Sequence, residues 1–240
     1  MAINPGNMTW FVSIVMAGFF LDWLAVAFKW EWVKPFSKPL AMLLVILWTL
    51  ASVSWRVDFF VVVLLLAQGL GLLGDVFLLF PYRYFMHGLV SFLLGHLCYL
   101  GLLIVSFVKF LAQKPVSDHW IGWSLLSLIV WGSILLVFYL TYKPLSQPGV
   151  AHHKMWVPTQ IYAWMLGGLV TLSFLAMGVF TELIWAIFML FTGELLFLIS
   201  DLILSYDNFI NPIPRGQLCV RITYHLAQFS LAWGFITIIT

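Results

Sequence analysis

Two apolar runs of the sequence each carry one aspartate: GLLGDVFLLFP, residues 71 to 81, holds Asp75, and GELLFLISDLILSYD, residues 193 to 207, holds Asp201. Gln68 precedes Asp75 by seven residues and Glu194 precedes Asp201 by seven, which in a helix is two turns earlier on nearly the same face. Each run therefore carries a polar stripe. An ionisable group in a bilayer costs roughly 2.5 to 3.5 kcal/mol on insertion scales, so it faces a bundle interior or a hydrated cavity and marks a functional site by default. Two carboxylates in one low-dielectric site do not readily both ionise. One keeps a proton while the other stays charged, which equips the pair to act as acid and anion, as in aspartic proteases and glycosidases. The sequence does not assign the roles, because a coupled pair titrates as a unit.

Other polar residues gather near the same zone if the runs are helices. Lys38 opens one run in SKPL, Tyr162 stands near the start of another, and Tyr224, His225 and Gln228 occupy the first half of the last. His96 and Tyr99, in SFLLGHLCYL, lie deeper in a fourth, and Ser200 directly precedes Asp201. A pocket holding two carboxylates, a lysine, tyrosines and one or two imidazoles gives all of them partners. Asp22, with no comparable pattern around it, reads as a bond to a neighbouring helix. His96 fits a structural histidine as well as a site residue, and His225 reads first as structural.

Such a pocket needs a membrane bundle to hold it. Of 240 residues, 63% are hydrophobic and only 8% charged, with a mean hydropathy of +1.06, a balance that no domain with a hydrated surface carries. The net charge of +2 is too small for a nucleic-acid surface. Two isolated cysteines, Cys98 and Cys219, make neither a disulfide framework nor a zinc knuckle. The first basic residue is Lys29, so the N-terminal apolar run lacks the charged start of a cleaved signal peptide and reads as a retained span.

Crossing a ~30 Å hydrocarbon core takes roughly 20 helical residues. Eight runs qualify, at residues 9–28, 38–54, 59–80, 85–108, 120–141, 157–178, 183–205 and 218–239. Short links such as FPYRYF, KPVSDHW and NFINPIPRGQ join them, so residues 1–240 read as a single all-α domain, a bundle of eight transmembrane helices. The shared small-Asp-x-x-Leu cores, GDVFL and SDLIL, suggest a parallel 4 + 4 internal repeat carried by only five positions.

Links after odd-numbered spans hold Lys29, Lys34, Lys38, Arg83, Lys143, Lys154, Arg215 and Arg221, against Arg56, Lys109 and Lys114 on the other side. That bias places both termini outside and the aspartates toward the cytoplasm. Short loops and the lack of targeting signals favour a bacterial inner membrane. FKWEW, at 28 to 32, fits an interfacial aromatic belt. Asp75 lies six residues before Pro81 and Asp201 six before Asp207, so each sits about 9 Å from its helix end. At matching depth, the two carboxylates are expected to share one cavity.

No G-x-S-x-G elbow, Walker loop or dinucleotide fingerprint occurs, which argues against serine hydrolase, nucleotide and Rossmann chemistry. Helical zinc sites pair histidines at i, i+4, whereas His152 and His153 are adjacent in a loop and the others are scattered. No metal or other cofactor is expected, although a metal site on Asp75, Asp201, His96 and His225 stays geometrically open.

KPL at 38 to 40, GDVFL at 74 to 78, F-x-x-G-H-x-x-Y (Phe92, Gly95, His96, Tyr99), GELLFLISDLIL at 193 to 204, and Tyr224 with Gln228 appear in that order. Together they resemble the YhhN family of membrane proteins, whose eukaryotic members are the lysoplasmalogenases, over nearly the whole chain. The resemblance implies hydrolysis of the vinyl ether bond of a lysoplasmalogen to a fatty aldehyde and glycerophosphoethanolamine or glycerophosphocholine, without a known metal requirement. Asp75 and Asp201 occupy its two motif aspartates. The implied partners are a lysophospholipid substrate and the lipid bilayer, with no nucleic acid and no obligate protein partner.

Vinyl ether cleavage begins by protonating the β-carbon, and water traps the resulting oxocarbenium ion. One proton donor and one anion suffice. On this reading Glu194 tunes the pair or holds water, His96, Tyr99, Tyr162, Tyr224 and Gln228 position the reactants, and Lys38 meets the substrate phosphate as a point charge. A proton-coupled transporter is the competing class, since it too uses carboxylates within helices. An aspartyl intramembrane protease fits poorly: its Y-D and G-x-G-D patterns are absent, with LLG before Asp75 and LIS before Asp201.

Overall fold

The structure, a computed structural model, describes residues 5–80, 84–113, 119–147, 149, 153–180 and 182–240. Pro81, Arg83, Lys114 and His152, which enter the depth, topology and loop readings above, lie outside the described residues. Eight α-helices follow in order: α1 (Pro5–Ala27), α2 (Lys34–Ser52), α3 (Phe59–Phe77), α4 (Phe85–Gln113), α5 (Trp120–Tyr142), α6 (Trp156–Val179), α7 (Ile184–Phe209) and α8 (Gly216–Ile239). Short 3-10 turns, Lys143–Ser146 and His153–Met155, fall between α5 and α6. No strand occurs among the described residues. All eight helices are long and apolar enough to cross a membrane, and the chain is a multi-pass membrane protein.

Hydropathy locates these helices better than it ends them. The second span begins at Lys34 rather than 38, because Pro35 suits a first helical turn, where no intrahelical donor is needed. The third starts where Asp58 caps it, accepting a hydrogen bond from the Val61 amide at 3.0 Å. It stops at Phe77 rather than residue 80. Leu79 and Phe80 are apolar but donate to Val76 and Phe77, three residues back, so the chain has already left the α-helix. At the other extreme, α7 continues to Phe209, past the residue 205 expected.

Consecutive helices other than α4 and α5 pack against each other, with α7 against α8 as the most extensive pair. The last helix is central, touching α1, α2, α3 and α7, whereas α5 lies at the edge and leans mainly on α6. Lipid tails are as apolar as leucine, so close backbone approach and polar cross-links, rather than hydrophobicity, select these neighbours. Gly193 is such a point. A Cβ there would stand 2.7 Å from Leu231 Cγ and 3.0 Å from the Ala227 carbonyl oxygen, so only glycine lets α7 and α8 come this close.

Hydrogen bonds fix the remaining registers. Ser200 Oγ donates to the Val220 carbonyl at 3.1 Å, joining α7 to α8. Tyr142 OH donates to the Leu202 carbonyl at 3.1 Å and ties α5 to α7. Ser91 Oγ donates to the Leu70 carbonyl at 2.7 Å between α4 and α3. The ends of odd-numbered helices meet the starts of even-numbered ones, as in the pairs Asp75–Lys38 and Asp22–Arg221. The helices therefore alternate in direction.

Gly193→Val should destabilise the protein by about 1 to 3 kcal/mol through overpacking, lowering the thermal midpoint in detergent. Gly101→Ala, whose added methyl meets nothing within 4 Å, should leave that midpoint unchanged or raise it.

Candidate active site

Asp75 stands in the last turn of α3 and is fully buried, yet its charge is matched on two sides. From the second turn of α2, Lys38 Nζ reaches Asp75 Oδ1 at 2.8 Å. From α8, Tyr224 OH donates to Asp75 Oδ2 at 2.9 Å. The Lys38 ammonium also lies 4.9 Å from the centre of the Tyr224 ring, where a ring face attracts a cation. Phe92 and Phe197 meet that ring edge-on at 5.9 and 5.5 Å and hold it in place. Gly71, one turn before Asp75, leaves the room: a Cβ there would lie 3.3 Å from Gln228 Nε2 and 3.5 Å from Tyr224 OH. Lys38, expected to meet a phosphate, is thus the counter-ion of Asp75.

Asp201, on α7, has a different environment. It makes no ion pair among the described residues, and its Oδ2 has no hydrogen-bond partner there. The Tyr162 hydroxyl of α6 faces it within electrostatic reach but outside strict hydrogen-bond geometry.

One layer deeper, His96 Nδ1 of α4 lies 3.2 Å from Glu194 Oε2 of α7, and the imidazole meets Phe197 edge-on at 4.2 Å. Tyr99 OH donates to Gln228 Oε1 at 3.2 Å. Gln68 turns toward α2 and donates to Thr49 Oγ1 at 2.8 Å, so it does not share the aspartate pocket. Ser200 is spent on its helix–helix bond.

Sequence reasoning passed over Arg221, which it counted only among the basic residues of the links that set orientation. The residue lies in the second turn of α8 with its side chain only 13% exposed, paired with fully buried Asp22 of α1. Asp22 Oδ1 also accepts from Ser37 Oγ at 2.6 Å. His225 completes this network: its Nδ1 accepts from Trp23 Nε1 at 3.1 Å, and its Nε2 faces Asp22 Oδ2 at 3.8 Å. Asp22 is thus a helix-to-helix bond with a guanidinium at its end. A signal existed: Arg221, Tyr224, His225 and Gln228 recur at i, i+3, i+4 and i+7, one face of a helix.

The two aspartates do not open into one cavity. Asp75 lines a pocket of roughly 130 Å³ with Lys38, Arg221, Asp207, Gln217 and Phe85. Asp201 lines a void of roughly 10 Å³ with Tyr162, Thr159, Ser205, Phe138 and Phe85, about enough for one water. Phe85 alone belongs to both, packed edge-on against Phe209 at 5.1 Å. The helix ends explain the offset, since α3 stops two residues past Asp75 while α7 runs eight past Asp201. Among the described residues, no three His, Cys, Asp or Glu side chains converge on a metal position. His225, held on the α1 side, does not join Asp75, Asp201 and His96. Another pocket, roughly 330 Å³, lies at the opposite end, but its charged groups are already engaged: Asp58 as a helix cap and Lys109 over the Phe60 ring.

Sequence similarity assigns this eight-helix membrane bundle to a known family. The YhhN family profile matches residues 33–235, and the chain belongs to the YhhN family. It is 25% identical over 237 residues to Lysoplasmalogenase TMEM86B of Mus musculus, covering 95% of this chain and 86% of that one. To Lysoplasmalogenase TMEM86A of Bos taurus it is 27% identical over 208 residues, covering 77% of each. No solved structure matches.

Lys38→Met would leave the Asp75 carboxylate buried without its cation, at an expected cost of about 3 to 5 kcal/mol. The double variant Lys38→Met, Asp75→Leu should recover most of that loss, because it removes both charges. Thermal midpoints of the purified protein measure both.

Proposed function

We propose that this chain is a lysoplasmalogenase, an ether hydrolase that adds water across the vinyl ether of a lysophospholipid. One observation carries the reading: two carboxylates in one buried zone have opposite environments, Asp75 held between a lysine and a tyrosine, Asp201 without an ion-pair partner. Unequal environments are what divide acid from anion in paired-carboxylate enzymes. The names of the relatives support the same chemistry at family level.

In this mechanism Asp201 carries the proton and delivers it to the β-carbon of the double bond, breaking the π bond. Asp75, fixed as an anion by Lys38 and Tyr224, stabilises the positive charge that forms on the α-carbon and ether oxygen. Water adds to that carbon and its released proton returns to the Asp201 carboxylate. The hemiacetal then collapses, breaking the bond between the former α-carbon and the glycerol oxygen, to give aldehyde and glycerophospho-alcohol. No electrons change hands overall. The substrate lies in the pocket at Asp75, with its chain among Leu78, Leu79, Leu204 and Val220, and the Phe85 side chain that separates the two aspartates turns aside so that Asp201 reaches the double bond.

Purified protein should release fatty aldehyde from an alkenyl lysophospholipid and none from the acyl analogue. Asp201→Asn should lower kcat about 10²- to 10⁴-fold without lowering the thermal midpoint, since it breaks no ion pair. Asp75→Asn should fall similarly per folded molecule, with some loss of stability because Lys38 is stranded. Full turnover in Asp201→Asn would overturn its role as acid. No aldehyde from a folded wild-type sample would overturn the hydrolase and turn attention to proton-linked transport in liposomes.

A further inference from the structure

The pocket at Asp75 contains two cations, and their situations differ. Lys38 is buried, committed to Asp75 and covered by the Tyr224 ring. Arg221 lines the same pocket, yet among the described residues its one hydrogen bond runs from Nη1 to Asp22. The rest of its planar fork is left to donate. Asp22 in turn is fixed by Ser37 on the far side of the pocket wall. A guanidinium tied through Nη1 to a buried carboxylate, on a residue that lines a cavity, has donors left to match the paired oxygens of a phosphate.

The surroundings extend this polarity outward. Asp207 and Gln217 line both the Asp75 pocket and a wider cleft of roughly 810 Å³, between the α1–α2 and α7–α8 links. Lys29, Lys34 and Arg215 border that cleft. Lys34 is paired with Glu31 at 2.6 Å, whereas Lys29 and Arg215 have no ion-pair partner among the described residues. Counting Glu31 and Asp207, the cleft sets three cations against two carboxylates, a net charge of one positive, outside a pocket whose far wall is apolar. An amphiphile with an anionic head fits that gradient.

We propose that Arg221 binds the phosphodiester of the lysophospholipid at the mouth of the Asp75 pocket, that Asp22 and Ser37 are its positioning residues, and that the adjoining cleft holds the rest of the headgroup. The assignment rests on the hydrolase reading for its substrate class. It moves the phosphate from Lys38 to Arg221.

Binding of uncleavable ether lipids tests this apart from turnover. The ligands are a 1-alkyl lysophosphatidylethanolamine, the matching 1-alkylglycerol without phosphate, and inorganic phosphate, each measured by calorimetry on the detergent-solubilised full chain. Arg221→Gln should weaken the phospholipid about 10- to 100-fold and leave the alkylglycerol unchanged, with Arg221→Lys in between. Asp22→Asn should weaken the phospholipid several-fold alone and add nothing on the Arg221→Gln background, the coupling expected of a residue acting through another. If Arg221→Gln fails to fold because Asp22 is stranded, the double variant Asp22→Asn, Arg221→Gln removes both charges and serves the same comparison.

Equal loss on both lipids, or no loss on either, would overturn the proposal. Inorganic phosphate binding as tightly as the phospholipid would overturn the lipid assignment in favour of a free anion. A wild-type protein that binds the ether phospholipid through Arg221 but releases no aldehyde would leave this site standing and remove the catalytic reading.

Discussion

A carboxylate in the interior of a membrane protein must be neutralised where it stands, and Asp75 is neutralised by three helices at once. Its own helix α3 brings it to the end of the run, α2 delivers Lys38, and α8 delivers Tyr224. The relative placement of these helices follows from that single requirement. A slip of one residue in any of them rotates the partner by about 100° and exposes a bare charge to hydrocarbon. The neighbouring pieces serve the same geometry. Gly71 lets Tyr224 approach, Phe92 and Phe197 hold its ring, and Gly193 brings α7 onto the helix that carries it.

The same arrangement distinguishes the aspartates. Each meets the opening turns of the helix that precedes its own: Asp75 faces Lys38 of α2, and Asp201 faces Tyr162 of α6. An ammonium ion supports a negative charge beside it, and a buried phenol does so far less. The difference between a lysine and a tyrosine at comparable places thus separates two otherwise equal side chains. On the proposed mechanism, it is these unequal neighbours that divide the labour.

The eight helices were legible because hydropathy is a sum over some twenty residues and tolerates local exceptions. Helix ends depend on single hydrogen bonds, which is why Leu79 and Phe80 read as helix although they lie in a turn. That reading set Asp75 as far from its helix end as Asp201, whereas α3 ends two residues past Asp75 and α7 eight past Asp201. The polar residues of the site were visible as types out of place, but their partners were not, since Lys38 could face water or a carboxylate with the same sequence. Arg221 was hidden by the Pro-rich link just before it, which makes any nearby cation count as a loop charge that sets orientation. Only its spacing to Tyr224, His225 and Gln228 sets it on the inner face of α8.

The Asp22–Arg221 pair closes the bundle between its first helix and its last, across 199 positions of sequence. At roughly 5 to 20 residues per second of synthesis, about 10 to 40 seconds separate the two ends on the ribosome. Once α2 is made, and for the rest of that interval, Asp22 has Ser37 alone of these partners for company. Biogenesis of this protein therefore includes a waiting period in which a carboxylate within the membrane lacks its cation. A chain that stalls before α8 keeps that mark indefinitely, and any membrane protease that senses unpaired charge has a means of telling the unfinished molecule from the finished one.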